Sequence, residues 1–197
     1  MKLKLFFILT IFVYSFLHAQ QFQYSEEEIN SANTAKNTEY LSQVEKEVIY
    51  YINLCRINPT KFLDRYIENG TYIKENEWYI KQNPKYLASL KQKLKSLKPL
   101  PLLHPDKALF QTALCLAREQ EKSGATGHER KKCKKDFWGE CCSYGESTGV
   151  GIVLQLLIDQ DVPSLGHRKI ILGDYSLVGV AFGNHKRYRN LAVIDFK

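Results

Sequence analysis

Gly145-Glu146-Ser147-Thr148-Gly149 fits G-x-S-x-G, the turn that presents the nucleophilic serine of many hydrolases. Candidate partners follow in the order those enzymes use, Asp159 or Asp161 and then His167 or His185. The spacing argues against a triad. Its members hang from separate parallel strands, each needing a crossover of roughly a dozen residues or more. Ser147 and His167 are only twenty residues apart, and too few strands precede Ser147 to build such a sheet. The same residues read more simply as a strand-ending glycine, a Ser/Thr helix cap and a glycine in the first helical turn. His128-Glu129 does not open H-E-x-x-H, because Lys132 stands where the second histidine is required. What remains is His128, Glu140, Asp159 and the Gly166-His167-Arg168 triplet, all in the second half of the chain.

These groups need elements to position them. Ser42-Gln43-Val44-Glu45 fits a capping box, and Val44, Val48, Tyr51, Ile52 and Cys55 continue at helical spacing until Asn58-Pro59. Thr60 is expected to cap a short continuation to Ile67. Leu87, Leu90, Leu94 and Leu97 mark a second amphipathic helix, and a third is predicted from Pro105 to Lys122, with Gly124 just past its end and His128 in the following loop. Glu140 to Tyr144 reads as a strand, Thr148 as a cap, Val150 to Asp159 as a helix, and Ser164 to Leu172 as a helical turn. Leu177–Phe182 and Tyr188–Phe196 read as a hairpin about Gly183-Asn184. Segregated helices and about three strands argue for the α+β class.

The totals narrow the setting. With 197 residues, one domain is the default. Residues 1 to 19 carry Lys2 and Lys4 before the apolar run LFFILTIFVYSFL and read as a signal peptide, so the chain is expected to be secreted, extracellular or periplasmic. Thirteen residues cover about 20 Å as a helix, too short for a stable membrane span of about 30 Å. Residues 20 to 40 are polar and read as a flexible leader, leaving 41 to 197 as the domain. Without the signal segment the formal charge falls from +7 to +5. That mild excess lacks the basic stripe with interleaved aromatics that nucleic acid requires, so no nucleic-acid partner is expected. The densest run, Arg130 to Lys135, reads as a solvated loop. The five cysteines, at 55, 115, 133, 141 and 142, leave at least one unpaired within the chain. Cys141 and Cys142 point to opposite faces of a strand and cannot readily bridge each other.

From about Leu41 to Phe196 the chain resembles the CAP superfamily, the cysteine-rich secretory, antigen 5 and pathogenesis-related 1 proteins, in its bacterial SCP-like form. The resemblance is carried by Gly127-His128, by Gly139-Glu140 with Ser143-Tyr144-Gly145, by LLIDQDVPSLGHRKIIL, and by VGVAFGNHKRYRNLAVIDF, with Leu54, Arg56, Asn58 and Pro59 as weaker support. It implies a three-layer α-β-α sandwich around a small antiparallel sheet, and a cleft of two histidines and two acids. Matched by motif, these are His128, His167, Glu140 and Asp159. Cys141-Cys142, Leu165 and Ile170 depart from the family pattern and remove polar neighbours from the cleft.

Two neutral imidazoles can ligate a divalent ion such as Zn2+ while a carboxylate accepts the other ring N–H. Two histidines make an incomplete set, so the zinc site is expected to be weak or conditional, and no catalytic residue is assigned. The same four residues could instead knit loop, strand and helix together without metal. Cys142 is expected on the face of Glu140, either as an added thiolate ligand or as a small buried thiol. His104 and His185 are expected to have surface or capping roles, and Arg168 to bind carbonyls. The resemblance implies an extracellular binding or interaction module, with a lipid or sterol or an extracellular protein as partner. A metal-assisted or serine hydrolase is the alternative.

Overall fold

The computed structural model describes residues 23 to 197, so the expected signal peptide lies outside the described residues. In chain order they form α1 (Glu26–Ala32), α2 (Gln43–Ile57), α3 (Pro59–Phe62) running into a π-helical turn (Leu63–Glu68), α4 (Tyr72–Glu75), α5 (Glu77–Ile80), α6 (Lys85–Ser96), β1 (His104–Pro105), α7 (Lys107–Ser123), β2 (Gly139–Tyr144), α8 (Gly149–Ile158), α9 (Gly166–Ile171), β3 (Leu177–His185) and β4 (Arg189–Phe196). Among the described residues no helix is long and apolar enough to cross a membrane.

The class is α+β, built on a four-stranded sheet of order β1-β3-β4-β2. Strands β2, β4 and β3 run antiparallel, and the two-residue β1 pairs parallel with β3, so the sheet is mixed rather than wholly antiparallel as expected. Alternation along the strands divides the apolar residues between two faces. Val178, Val180, Ile194, Phe196 and Cys141 pack with residues of α2 and α8, including Ile49, Ile52 and Val153. Ala181, Leu191, Val193 and Cys142 pack with Ala113, Leu116 and Ala117 of α7.

Two glycines permit these contacts. A Cβ on Gly179 would lie 2.1 Å from backbone atoms of Leu109 and Phe110, so α7 rests directly on β3. One on Gly149 would lie 2.4 Å from Cβ of Glu47, which makes this last glycine of G-x-S-x-G the point where α8 crosses α2. Thr148 caps α8, its hydroxyl accepting from Gly151 N at 3.1 Å.

The capping box at Ser42 and Glu45 is present. Farther along α2, buried Arg56 donates to the carbonyls of Pro101, Ile171, Gly173 and Tyr175 at 2.8–3.0 Å, tying the helix to two distant loops. Arg168 likewise donates to Leu157, Ile158 and Tyr86 carbonyls, as expected.

Several expectations are corrected. The stretch read as a loose leader is docked in its described part. Ser25 and Glu28 form a capping box for α1, Tyr24 donates to Leu54 O at 2.9 Å, and Ala32 and Ala35 are buried. The cap of α3 is Asn58, whose side chain accepts from Lys61 N, and not Thr60. The hairpin pairs beyond Gly183-Asn184 as far as His185↔Arg189, so its turn is Lys186 to Tyr188. Buried His185 caps that turn. Its Nδ1 accepts from Arg187 N and Tyr188 N, and its Nε2 donates to Ala125 O.

Gly179→Ala should cost roughly 3 kcal/mol or more of stability, because the new methyl meets backbone that cannot yield without lifting α7. Urea unfolding would measure it, and an unchanged midpoint would mean that α7 does not seat on β3 in this way.

Candidate functional site

β2 is an edge strand, hydrogen-bonded to β4 on one side only. Elements from the two faces of the sheet meet beside it. On the α7 face, Glu140 and Cys142 point toward the loop that carries His128. On the other face, α9 supplies His167, whose carbonyl lies 3.7 Å from the thiol of Cys141.

The residue before His128 is fixed from both ends. Gly127 N donates to the Tyr144 hydroxyl at 2.8 Å, and Gly127 O accepts from Gln120 Nε2 at 2.7 Å and from the Cys142 thiol at 3.4 Å. Beyond it, Glu119 accepts from the backbone N–H groups of Lys131 and Lys132, and a disulfide joins Cys115 to Cys133. The other three cysteines, 55, 141 and 142, are free and buried.

His128 Nδ1 lies 2.9 Å from Glu140 Oε1. His167 Nδ1 lies 2.7 Å from Asp159 Oδ1, and the second oxygen of Asp159 accepts from Arg168 N. Asp159 is the left-handed C-cap of α8 (φ 56°), a conformation that aspartate tolerates better than most residues, and it turns its carboxylate toward the first turn of α9. The two ring centroids are 6.0 Å apart with their planes inclined by 37°. The His128 side chain is half exposed and that of His167 only 22% exposed, whereas both carboxylates are buried. Each carboxylate accepts the Nδ1–H of its ring and thereby leaves Nε2 as the available lone pair. The four expected residues are thus brought together.

Sequence reasoning missed the group that anchors them. Arg130, expected in a solvated run, has a side chain only 1% exposed. It pairs with Glu140, lies 3.1 Å from Asp195 Oδ2, donates to Thr112 O at 2.8 Å and stacks over Phe137. The lysines around it are exposed as expected, so the run is solvated except at Arg130 and Cys133. Glu140 and Asp195 are cross-strand partners, and like charges directly opposite repel. Burial pushes the Asp195 carboxyl up to about 7. Burial works against the Glu140 charge as well, but hydrogen bonds from His128 and Arg130 outweigh it and hold Glu140 below the usual carboxylate range. One proton shared on the Asp195 side, with Glu140 ionised, is the arrangement this geometry favours. The signal for Asp195 was a lone acid on the inward face of an apolar strand, which requires a partner.

His128, Glu140 and Cys142 offer ligand atoms within 4.8 Å of one another and could hold a metal ion. Glu140 is already engaged by His128 and Arg130, however, and burial raises the Cys142 thiol far above its ordinary range. Ser147 is exposed, and no hydrogen bond joins it to a histidine among the described residues.

Arg130→Ala would strand two facing buried acids and should cost about 3–5 kcal/mol at neutral pH. The raised folded value of Asp195 also fixes a sign. Between about pH 4 and 7 the native state keeps a proton that the unfolded chain, near ~4, has released, so this group lowers stability as pH rises through that window. Glu140 acts oppositely, its contribution being lost as pH falls below ~4. Urea midpoints across this range should show that Asp195→Asn removes the decline, and an unaltered pH profile would contradict the shared-proton arrangement.

Comparison with models of protein families, with curated proteins and with solved structures finds no match, so the chemistry of the cleft is inferred from its own residues and distances.

Proposed function

We propose that this chain is a secreted CAP/SCP-like protein, an α-β-α sandwich, whose cleft is an extracellular binding site that can take a divalent metal ion through His128 and His167. The observation that carries the reading is the pair of imidazoles with centroids 6.0 Å apart, each held at Nδ1 by its own buried carboxylate. A zinc ion about 2.0–2.1 Å from each ring nitrogen would lie ~3.2 Å from each centroid, so tetrahedral coordination sets the centroids ~5 Å apart and the two rings would draw together by about 1 Å to share one ion. The Cys115–Cys133 disulfide supports an oxidising destination. Helices against both faces of the sheet support the sandwich.

Two imidazoles leave coordination positions for water or for an oxygen or nitrogen of a ligand, and metal affinity is correspondingly modest. Glu140 and Asp159 fix ring orientation and remain outside the coordination sphere. A binding role is favoured over a hydrolytic one because the carboxylates that contact the rings, and the acid facing them across the strands, are committed: Glu140 to Arg130 and His128, Asp195 to Arg130 and Thr112, and Asp159 to His167 and Arg168. No carboxylate that touches either ring is left free to activate water. A lipid or sterol, or an extracellular protein, remains the partner class that the resemblance suggests.

Calorimetric titration with zinc at neutral pH should give a binding isotherm that disappears in His167→Ala and weakens as pH drops through ~6.5, where free imidazoles protonate. Indistinguishable isotherms for the two proteins would remove the metal.

A further inference from the structure

Alongside the His167–Asp159 pair lies a pocket of about 250 Å³ walled by α4, α5 and the end of α8. Each amide nitrogen in its lining already donates to a backbone carbonyl. Asn76 Nδ2 is spent on Tyr72 O at 3.0 Å, Gln155 Nε2 on Tyr144 O at 3.0 Å, Gln160 Nε2 on Tyr79 O at 2.9 Å, and the Tyr72 hydroxyl on Glu146 Oε1 at 3.0 Å. Two acceptors are left without a partner among the described residues. Gln160 is 9% exposed, and its Oε1 is buried without a hydrogen-bond partner. The carbonyl of Tyr79 fixes which end of that amide is nitrogen, so the orphan is an oxygen. Glu146 uses Oε1 for Tyr72, and Oε2 has no hydrogen bond among the described residues. No lysine or arginine lines the pocket, and Tyr72, Tyr79 and Tyr144 contribute aromatic surface.

A buried acceptor without a donor costs about 1–3 kcal/mol, which a ligand N–H would recover once a small shift of the Gln160 amide turned its oxygen to the pocket. Unspent acceptors, a carboxylate and tyrosine faces are together complementary to a cation with several donors. Apolar Ile80, Leu156 and Val162 complete the wall and suit an alkyl stem.

We propose that this pocket is a subsite for an alkylammonium group, the end of a lysine side chain or of a small free amine. It rests on the cleft being a ligand site, since the two share the wall formed by His167 and Asp159, but it does not require the metal. Burial raises the Glu146 carboxyl above its ordinary range, and a bound cation would bring it back down.

Amide NMR spectra of the isotopically labelled protein, titrated with n-butylammonium chloride and in parallel with n-butanol, test the proposal. Saturable shifts around Glu146 and Gln160 are expected with the ammonium and not with the alcohol. Glu146→Gln keeps an acceptor for Tyr72 and removes the charge, and it should weaken the response about tenfold or more while leaving the rest of the spectrum in place. Nα-acetyl-lysine methylamide binding more tightly than butylammonium would identify a peptide as the source, and equal binding a free amine. Equal responses to ammonium and alcohol, an unaffected Glu146→Gln variant, or no saturable shift would each overturn the proposal. A retained ammonium response in a protein that binds no zinc would remove the metal reading alone.

Discussion

One buried guanidinium holds the cleft together. Arg130 leaves an irregular loop, passes between the facing acids of β2 and β4, and ends against the backbone of α7. Without a positive charge there, the buried charge of Glu140 would face Asp195 uncompensated and the loop would lose its charged anchor in the sheet. The same contact leaves Glu140 ionised, and an ionised Glu140 is what aligns His128. The orientation of a half-exposed ring therefore depends on a charge that solvent does not reach.

The arrangement also explains why an edge strand carries the site. Residues 140 and 142 face one layer of helix and residues 139, 141 and 143 the other, so β2 is where groups from both layers come within reach of each other. An uncovered edge invites pairing with another chain. Here the His128 loop and α9 occupy its surroundings. His128 reaches the cleft through a loop tied down at Gly127, Arg130 and Cys133, and His167 through the first turn of a helix whose preceding residue, Leu165, has φ 52°. The two rings are independently mounted, each with its own acid.

How much of this could be read in advance follows from the range of the forces involved. Helix α2 announces itself through signals within a few residues of one another, namely the Ser42 and Glu45 box, the apolar spacing and Asn58-Pro59. Thr148 and Gly124 were legible as helix ends for the same reason. Arg130 was not, because its partners are 10 and 65 residues away and the lysines beside it do face water. The first helix was hidden by its own composition. Glu26, Glu27 and Glu28 suggest solvent, while the few anchors that dock it, Tyr24, Ala32 and Ala35, are too sparse to make a periodic pattern. At the hairpin, Gly183-Asn184 is a strong local turn signal, but strand pairing continued past it because the His185 ring could satisfy the turn that follows. Of the cleft, the histidines and their acids could be named from motifs, whereas the charge beneath them and the acceptor-rich pocket beside them depend on contacts that no short stretch contains.

The bridge between Cys115 and Cys133 closes a ring of chain that contains both His128 and Arg130. Closing it beforehand reduces the freedom that this irregular segment must surrender on folding, and so lowers the entropic cost of seating a guanidinium in the sheet and an imidazole at its rim. Were those two sulfurs reduced, the segment would keep its side-chain contacts but lose its covalent clasp, and the imidazole would wander over a wider arc. The sharpness of the cleft is in that sense set by the oxidation state of the surroundings.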